Sequence, residues 1–244
     1  MPESAEGGRD TPSDPYPFDA RSRFEDSVAW GNTSRREYRW PAAAAVGVAI
    51  LLQIAIPERL DHNLGPRWLI PVLEGVLLAA LMAAKPKRVD EEERALRALS
   101  LGLIAVITFA NFLALSELIR ALLGNSGPQG RVLVYASVPI WLTNVIVFAL
   151  WYWELDRGGV SARLSKTHRR PDFLFPQMTV PGVDHDWAPG FLDYLYTAFT
   201  NATAFSPTDT MPLTSWAKLL MMIQSMASLL TVALVVSRAV NILQ

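Results

Sequence analysis

Cysteine is absent from all 244 residues. Disulfides, thiolate zinc sites, iron–sulfur clusters and a cysteine nucleophile are therefore excluded. Charge is scarce: 18% of residues are Asp, Glu, Lys or Arg, against about 25% in average soluble domains. The net charge is −1, so there is no basic surplus to hold nucleic acid. No nucleophile elbow, phosphate-cradling loop or zinc-protease helix occurs, so neither enzyme activity nor a cofactor is expected. The first forty residues hold no short apolar run behind a basic start, and no secretory signal is expected there.

What is abundant is apolar surface. Hydrophobic residues make up 51% of the chain and mean hydropathy is +0.21. These residues gather in long blocks, several of about 18 residues or more, the length of a membrane span. The expected fold is an all-α integral membrane protein. It has five transmembrane helices, plus a re-entrant pore helix and a filter-like loop before the last span.

Residues 1–39 read as a disordered polar tail, rich in Pro, Gly, Ser and charged residues; a short surface helix over 24–39 is the alternative. Span one runs from Trp40 to Ile56, with Trp40 at the membrane interface and Pro57 ending it. Span two runs from Trp68 to Ala84 and contains Glu74. A polar link, Lys85–Arg97, precedes span three (Ala98–Leu123); span four follows at Val132–Leu155 and ends in Trp151, Tyr152 and Trp153. All four are too apolar all round for surface helices of a soluble protein. A long polar loop follows, then a half-length apolar stretch from Pro189 to Phe205, then the last span, Leu213–Asn241. The chain thus divides into the tail, a three-helix peripheral region (40–130) and a C-terminal module (131–244).

The chemistry concentrates in DYLYTAFTNATAFSPTDTMPLTSWAK, Asp193–Lys218. Pro207 removes a backbone donor and disfavours helix at Ser206, so Thr203–Asp209 does not continue the half-helix. Non-helical backbone at membrane depth needs burial in protein or contact with water. A helix that stops there and returns through polar residues is the layout of a pore loop.

This segment resembles the pore module of the potassium-channel superfamily: outer helix, pore helix, filter, inner helix. Thr200, Asn201, Ala202 and Thr203 stand where that family has its polar pore-helix end and first filter threonine. Asp209 and Pro212 match the Asp-x-x-Pro after the filter, and Thr214, Trp216 and Lys218 match the start of the inner helix. The resemblance implies that span four is the outer helix and that residues 213–241 are the inner helix. The filter departs from the pattern. Where the family has Thr-Val-Gly-Tyr-Gly, this chain has Ala204-Phe205-Ser206-Pro207-Thr208. Without glycine, a column of inward-pointing carbonyls is strained, and potassium selectivity does not carry over. The whole chain after the tail also resembles an uncharacterised bacterial family of five-span membrane proteins. Trp151–Gly159, Phe173–Gln177, the pore-like segment and Ser237–Leu243 carry that likeness; it implies no activity.

Candidate pore and filter residues are therefore Asn201, Thr203, Ala204, Phe205, Ser206, Pro207, Thr208 and Asp209. Gln224, Ser225 and Ser228 are candidate cavity-lining residues of the inner helix. Glu74 is an intramembrane carboxylate, a functional candidate by default or a packing residue. Glu117 and Arg120 pair on one helix face, and Asn111 and Asn144 are expected as interhelical glue. His168 and Asp184-His185-Asp186 read as solvated loop, since zinc needs three or four convergent ligands. No metal site is expected.

Seventeen of the 22 Lys and Arg fall on the side of the tail, the second link and the long loop. The positive-inside rule puts that side, with the N-terminus, in the cytosol of a bacterial inner membrane. The pore loop then enters from the cytosol, opposite to potassium channels and as in ionotropic glutamate receptors. Three readings follow. One is a homo-oligomeric cation channel, four-fold by preference, whose partners are membrane lipid and inorganic cations. The second is a non-conducting scaffold or partner-binding protein with a degenerate pore loop. The third is a proton-coupled carrier using Glu74.

Overall fold

A computed structural model of the chain describes residues 39–56, 68–83, 91–123, 130–164, 171–178, 187–203 and 209–242. Seven helices carry the described structure: α1 (Trp40–Ile54), α2 (Leu69–Ala83), α3 (Glu91–Leu123), α4 (Gly130–Leu155), α5 (Val160–Leu164), α6 (Phe191–Thr203) and α7 (Ser215–Ile242). Two short strands, β1 (Phe173–Leu174) and β2 (Met211–Pro212), pair antiparallel.

Three helical segments are long and apolar enough to cross a membrane: Arg94–Leu123, Val132–Gly158 and Ser215–Val236. α1 and α2 are equally apolar but have only 15 residues each, about 22 Å at 1.5 Å per residue, short of the ~30 Å hydrocarbon core. Of the five expected spans, three among the described residues are thus long and apolar enough by themselves, with two shorter apolar helices beside them. The expected link Lys85–Arg97 is also shorter than its sequence suggested, because α3 starts at Glu91. Residues 91–97, EEERALR, are good helix formers, and glutamates in a first turn complement the helix dipole. The tail's possible helix over 24–38 and the residues His168 and 184–186 lie outside the described residues.

α4 is the centre, packing against α1, α3, α6 and α7. Two-thirds (67%) of its apolar window is buried, against 28% for α7. The outer helices bury their polar side chains and expose their apolar ones. On α2 the inward stripe is Ile70, Pro71, Glu74, Leu77, Leu78 and Leu81, whereas Val72, Leu73, Val76 and Met82 face outward. On α7 the buried stripe is Ala217, Met221, Gln224, Ser228 and Thr231, and beyond Lys218 the exposed one is apolar: Leu219, Met222, Met226, Leu229 and Leu230. A soluble helix shows the opposite pattern; this one suits a hydrocarbon solvent.

Charged groups fix the helix directions. Glu154, near the end of α4, lies in the field of Arg39 before α1, Arg97 early in α3, and Arg163. Gly159, at φ +103°, brings the chain against Arg97: a Cβ there would sit 3.2 Å from Arg97 Nε. α1 and α3 therefore begin where α4 ends. At the opposite end Ala114, Leu115 and Leu118 of α3 pack with Leu133, Ala136 and Ile140 of α4 and Ala227 of α7.

Candidate functional site

The C-terminal module holds two polar layers, one at the end of α4 and one at mid-depth. The outer layer is a collar of buried charge. Asp156 is fully buried; its Oδ1 accepts from the Asp172 backbone N–H at 2.8 Å and its Oδ2 from the Tyr194 hydroxyl at 2.6 Å. Asp172 Oδ1 accepts from Trp216 Nε1 at 2.9 Å, and Oδ2 from the Arg157 N–H at 2.8 Å. Its backbone carbonyl accepts from Leu213 N–H at 2.8 Å. One residue thereby joins the end of α4, the loop after it and the start of α7. Arg163 donates to the carbonyls of Trp153 (2.6 Å) and Asp156 (3.1 Å) and lies over the rings of Tyr194 and Trp153, 5.6 and 5.9 Å from their centroids. Arg157, at φ 55°, turns the chain here, with Nε 3.6 Å from Asp156 Oδ2. Phe173 fills the space below, edge-on to Tyr194 and Trp216.

The inner layer is neutral and centres on Gln224 of α7. Its Oε1 accepts from Tyr152 of α4 at 2.6 Å and from Asn201 of α6 at 2.7 Å, while its Nε2 donates to the Ala198 carbonyl at 2.8 Å. Asn201 also donates to the Met221 carbonyl at 3.0 Å and accepts from Ser225 at 3.0 Å. Asn144 of α4 donates to Ser228 at 2.9 Å. Amides and hydroxyls join three helices without any charge, which suits a low-dielectric layer.

These contacts set the course of α6. Its first residue, Phe191, lies edge-on against Trp153 at the collar, 6.0 Å between ring centroids. Asn201, near its end, meets Gln224, the tenth residue of α7 and about 14 Å along that helix. α6 therefore ends about a third of the way along α7, near the middle of its apolar segment Ser215–Val236. Beyond it, Thr210 is buried and its hydroxyl lies 3.2 Å from that of Thr197. Thr197 is about 9 Å back along α6 from Thr203, so the chain has returned toward the collar by Thr210. β2 then pairs with β1 there.

Of the sequence candidates, Asn201 and Thr203 lie at the end of α6. The Thr203 hydroxyl donates to the Thr200 carbonyl at 2.8 Å. Asp209 is exposed and lines a groove of about 390 Å³ with Asp193, Tyr196, Gln177 and Thr210. Ala204, Phe205, Ser206, Pro207 and Thr208 lie outside the described residues. Gln224 and Ser228 are fully buried, and Ser225 is half-buried. All three make their bonds to α4 and α6 within the subunit, because 224 and 228 fall on the stripe facing Asn144 and Tyr152. Within the chain they brace α7 against α4 and α6. Glu74 is the one buried residue of α2 and accepts from Gln53 Nε2 at 3.2 Å. Asn144 joins helices as expected, and Glu117 pairs with Arg120. Among the described residues no group of three or more His, Asp and Glu could hold a metal ion.

The sequence reading missed the collar. Asp156 lay in a stretch singled out only for its likeness to other chains, Asp172 in the long polar loop, and Tyr152 in the aromatic end of span four. The available signal was an aspartate just beyond span four beside an arginine, Asp156-Arg157, and a second in the following loop beside an aromatic, Asp172-Phe173. No family model, curated protein or solved structure matches this chain.

Proposed function

We propose that the protein is an oligomeric pore-loop cation channel with a glycine-free filter, weakly selective among monovalent cations. The observation that carries this reading is the course of α6: it ends near mid-depth against Gln224, and the chain is back beside Thr197 at Thr210. In this reading α6 is a re-entrant pore helix, α4 the outer helix and α7 the inner helix. The C-terminal dipole of α6 then points its negative end toward mid-membrane, favouring a cation there. Thr203–Asp209 forms the filter, and Asp209 of each subunit contributes to a ring of carboxylates at its mouth. One loop cannot enclose an ion path, so subunits assemble about a rotation axis, four-fold by preference. The apolar outward face of α7 meets lipid and neighbouring subunits. The membrane is the bacterial inner membrane, with the N-terminus cytosolic by the charge bias.

The test is reversal potential under a salt gradient for purified protein in a planar bilayer. Cations pass in preference to anions, sodium and potassium are poorly distinguished, and Asp209→Asn lowers the cation preference. Sharp potassium selectivity would defeat the filter argument, and an unchanged ratio in the variant would remove Asp209 from the path. The scaffold reading draws on one observation: Gln224, Ser225 and Ser228 use their hydrogen bonds within the subunit. Absence of any single-channel current from folded oligomer would favour it.

A further inference from the structure

Away from the C-terminal module, α1 and α2 form an antiparallel pair bridged by Gln53 and Glu74. α2 is apolar throughout except for Glu74. That carboxylate has no exposed surface, and it heads the inward stripe on which Leu77, Leu78 and Leu81 pack against the core. Gln53 Nε2 donates to its Oε1 at 3.2 Å. Oε2 is buried and has no hydrogen-bond partner.

Among the described residues the surroundings hold no counter-charge. α1 carries no titratable side chain between Trp40 and Ile54, and α2 has none besides Glu74. α3, which also packs on α2, has its charged residues only in the stretch 91–97 and at Glu117 and Arg120, leaving 98–116 without one. Among the described residues a carboxylate ion here would have one amide donor for two oxygens and no cation, an arrangement that low dielectric disfavours strongly. A neutral carboxyl fits the same space with a single acceptor oxygen satisfied.

We propose that Glu74 and Gln53 form a proton-binding site within the helical layer, with the proton on Oε2 and Gln53 donating to Oε1. The site is one helix thickness from the lipid-facing surface. Val72, Leu73 and Val76 around it are exposed, and a Cβ on Gly75 would meet nothing within 4 Å. Such a carboxyl is a target for hydrophobic carbodiimides. Its O–H adds across one C=N bond, oxygen to the central carbon and proton to nitrogen. The adduct then rearranges to an N-acylurea that retains the whole reagent. The site is independent of the pore reading, since neither α1 nor α2 contributes to the pore module.

The test combines infrared difference spectroscopy with dicyclohexylcarbodiimide labelling of the full chain in lipid vesicles. At neutral pH, wild type minus Glu74→Gln gives the carbonyl stretch of a protonated carboxyl. Gln53→Leu keeps that band and shifts it to higher frequency, because a hydrogen bond to the carbonyl is lost. Peptide mass mapping of wild type places the adduct on Glu74, and labelling falls as pH rises. Glu74→Gln is close in shape to the protonated residue; if it fails to fold, isotope-labelled glutamate in wild type reports the same band. A difference spectrum with carboxylate bands alone at neutral pH overturns the proposal. Protection by sodium at constant pH, with loss of the carboxyl band, also overturns it and makes the site a cation site.

Discussion

Two glutamines, Gln224 buried and Gln53 half-buried, divide the molecule into a satisfied region and an unsatisfied one. Gln224 has three hydrogen bonds to three partners on α4 and α6. Gln53 has a long bond to a carboxylate whose second oxygen meets nothing. Both sit among apolar side chains, so the difference lies in what surrounds them. Around Gln224, α6 brings an amide and a carbonyl to the α4–α7 pair, and every polar atom of the glutamine side chain finds use. Around Gln53 and Glu74 the helices that pack together are apolar, and among the described residues none supplies a partner for Glu74 Oε2. A complete polar network fixes a geometry; an incomplete one leaves a group whose state the solvent or a proton decides.

The strongest test of this contrast is Gln224→Leu. It strands the Tyr152 hydroxyl, the Asn201 amide and part of the Ala198 carbonyl, at roughly 1–3 kcal/mol for each buried group left unpaired. We expect about 3 kcal/mol of lost stability in denaturant titrations of the detergent-solubilised protein. Gln53→Leu, tested alongside, should cost about 1 kcal/mol. Equal losses for the two would break the comparison. They would also mean that helices freed in the micelle find other partners, the behaviour that keeps bonds between membrane helices near 0.6 kcal/mol on average.

Next in size is Asp172→Ala, which leaves Trp216 Nε1 and the Arg157 N–H without acceptors; about 2 kcal/mol is expected. Protease accessibility of the segment around Thr210–Leu213 should rise with it, since the Asp172 side chain and carbonyl hold the start of α7 in place. Unchanged cleavage would show that the β1–β2 pair suffices alone. Asp209→Asn is a smaller perturbation of the fold. Asp209 is exposed, so stability should change by no more than about 0.5 kcal/mol, while charge selectivity falls. A large stability loss would tie Asp209 to the collar instead. The smallest effect belongs to Arg120→Ala. Its pair with Glu117 spans three residues on one helix, and its side chain is 72% exposed, so about 0.3 kcal/mol is expected. A loss above 1 kcal/mol would mean that this end of α3 is far more enclosed than its exposure indicates.

Much of the architecture was legible along the chain. α3, α4 and α7 follow from continuous apolar runs, and the half-length α6 from the shortness of its run and the proline beyond it. Less legible was the strength of α1 and α2 as spans: their ends depend on where flanking polar residues leave the helix, and 15 residues fall short of a full crossing. Less legible still were partners. Gln224 and Ser228 stood as candidate cavity-lining residues of the inner helix, and nothing along the chain named Tyr152 and Asn144 as their partners. The structure turns them toward Tyr152 and Asn144, because those two present matching groups on the facing stripe of α4.

The sequence alone determined the solvent and the element type, since both rest on local composition: long apolar runs cannot remain in water, and their backbone must bond to itself as helix. Only the tertiary structure decided which polar groups meet. Tyr152 and Gln224 are 72 residues apart, and Asn144 and Ser228 are 84 apart. No local pattern encodes such pairings, because a hydrogen bond depends on the rotation and depth at which two helices pack. The unpartnered Oε2 of Glu74 has the same origin: the sequence supplied a carboxylate in an apolar run, and the packing of α1 and α2 left one oxygen without a donor.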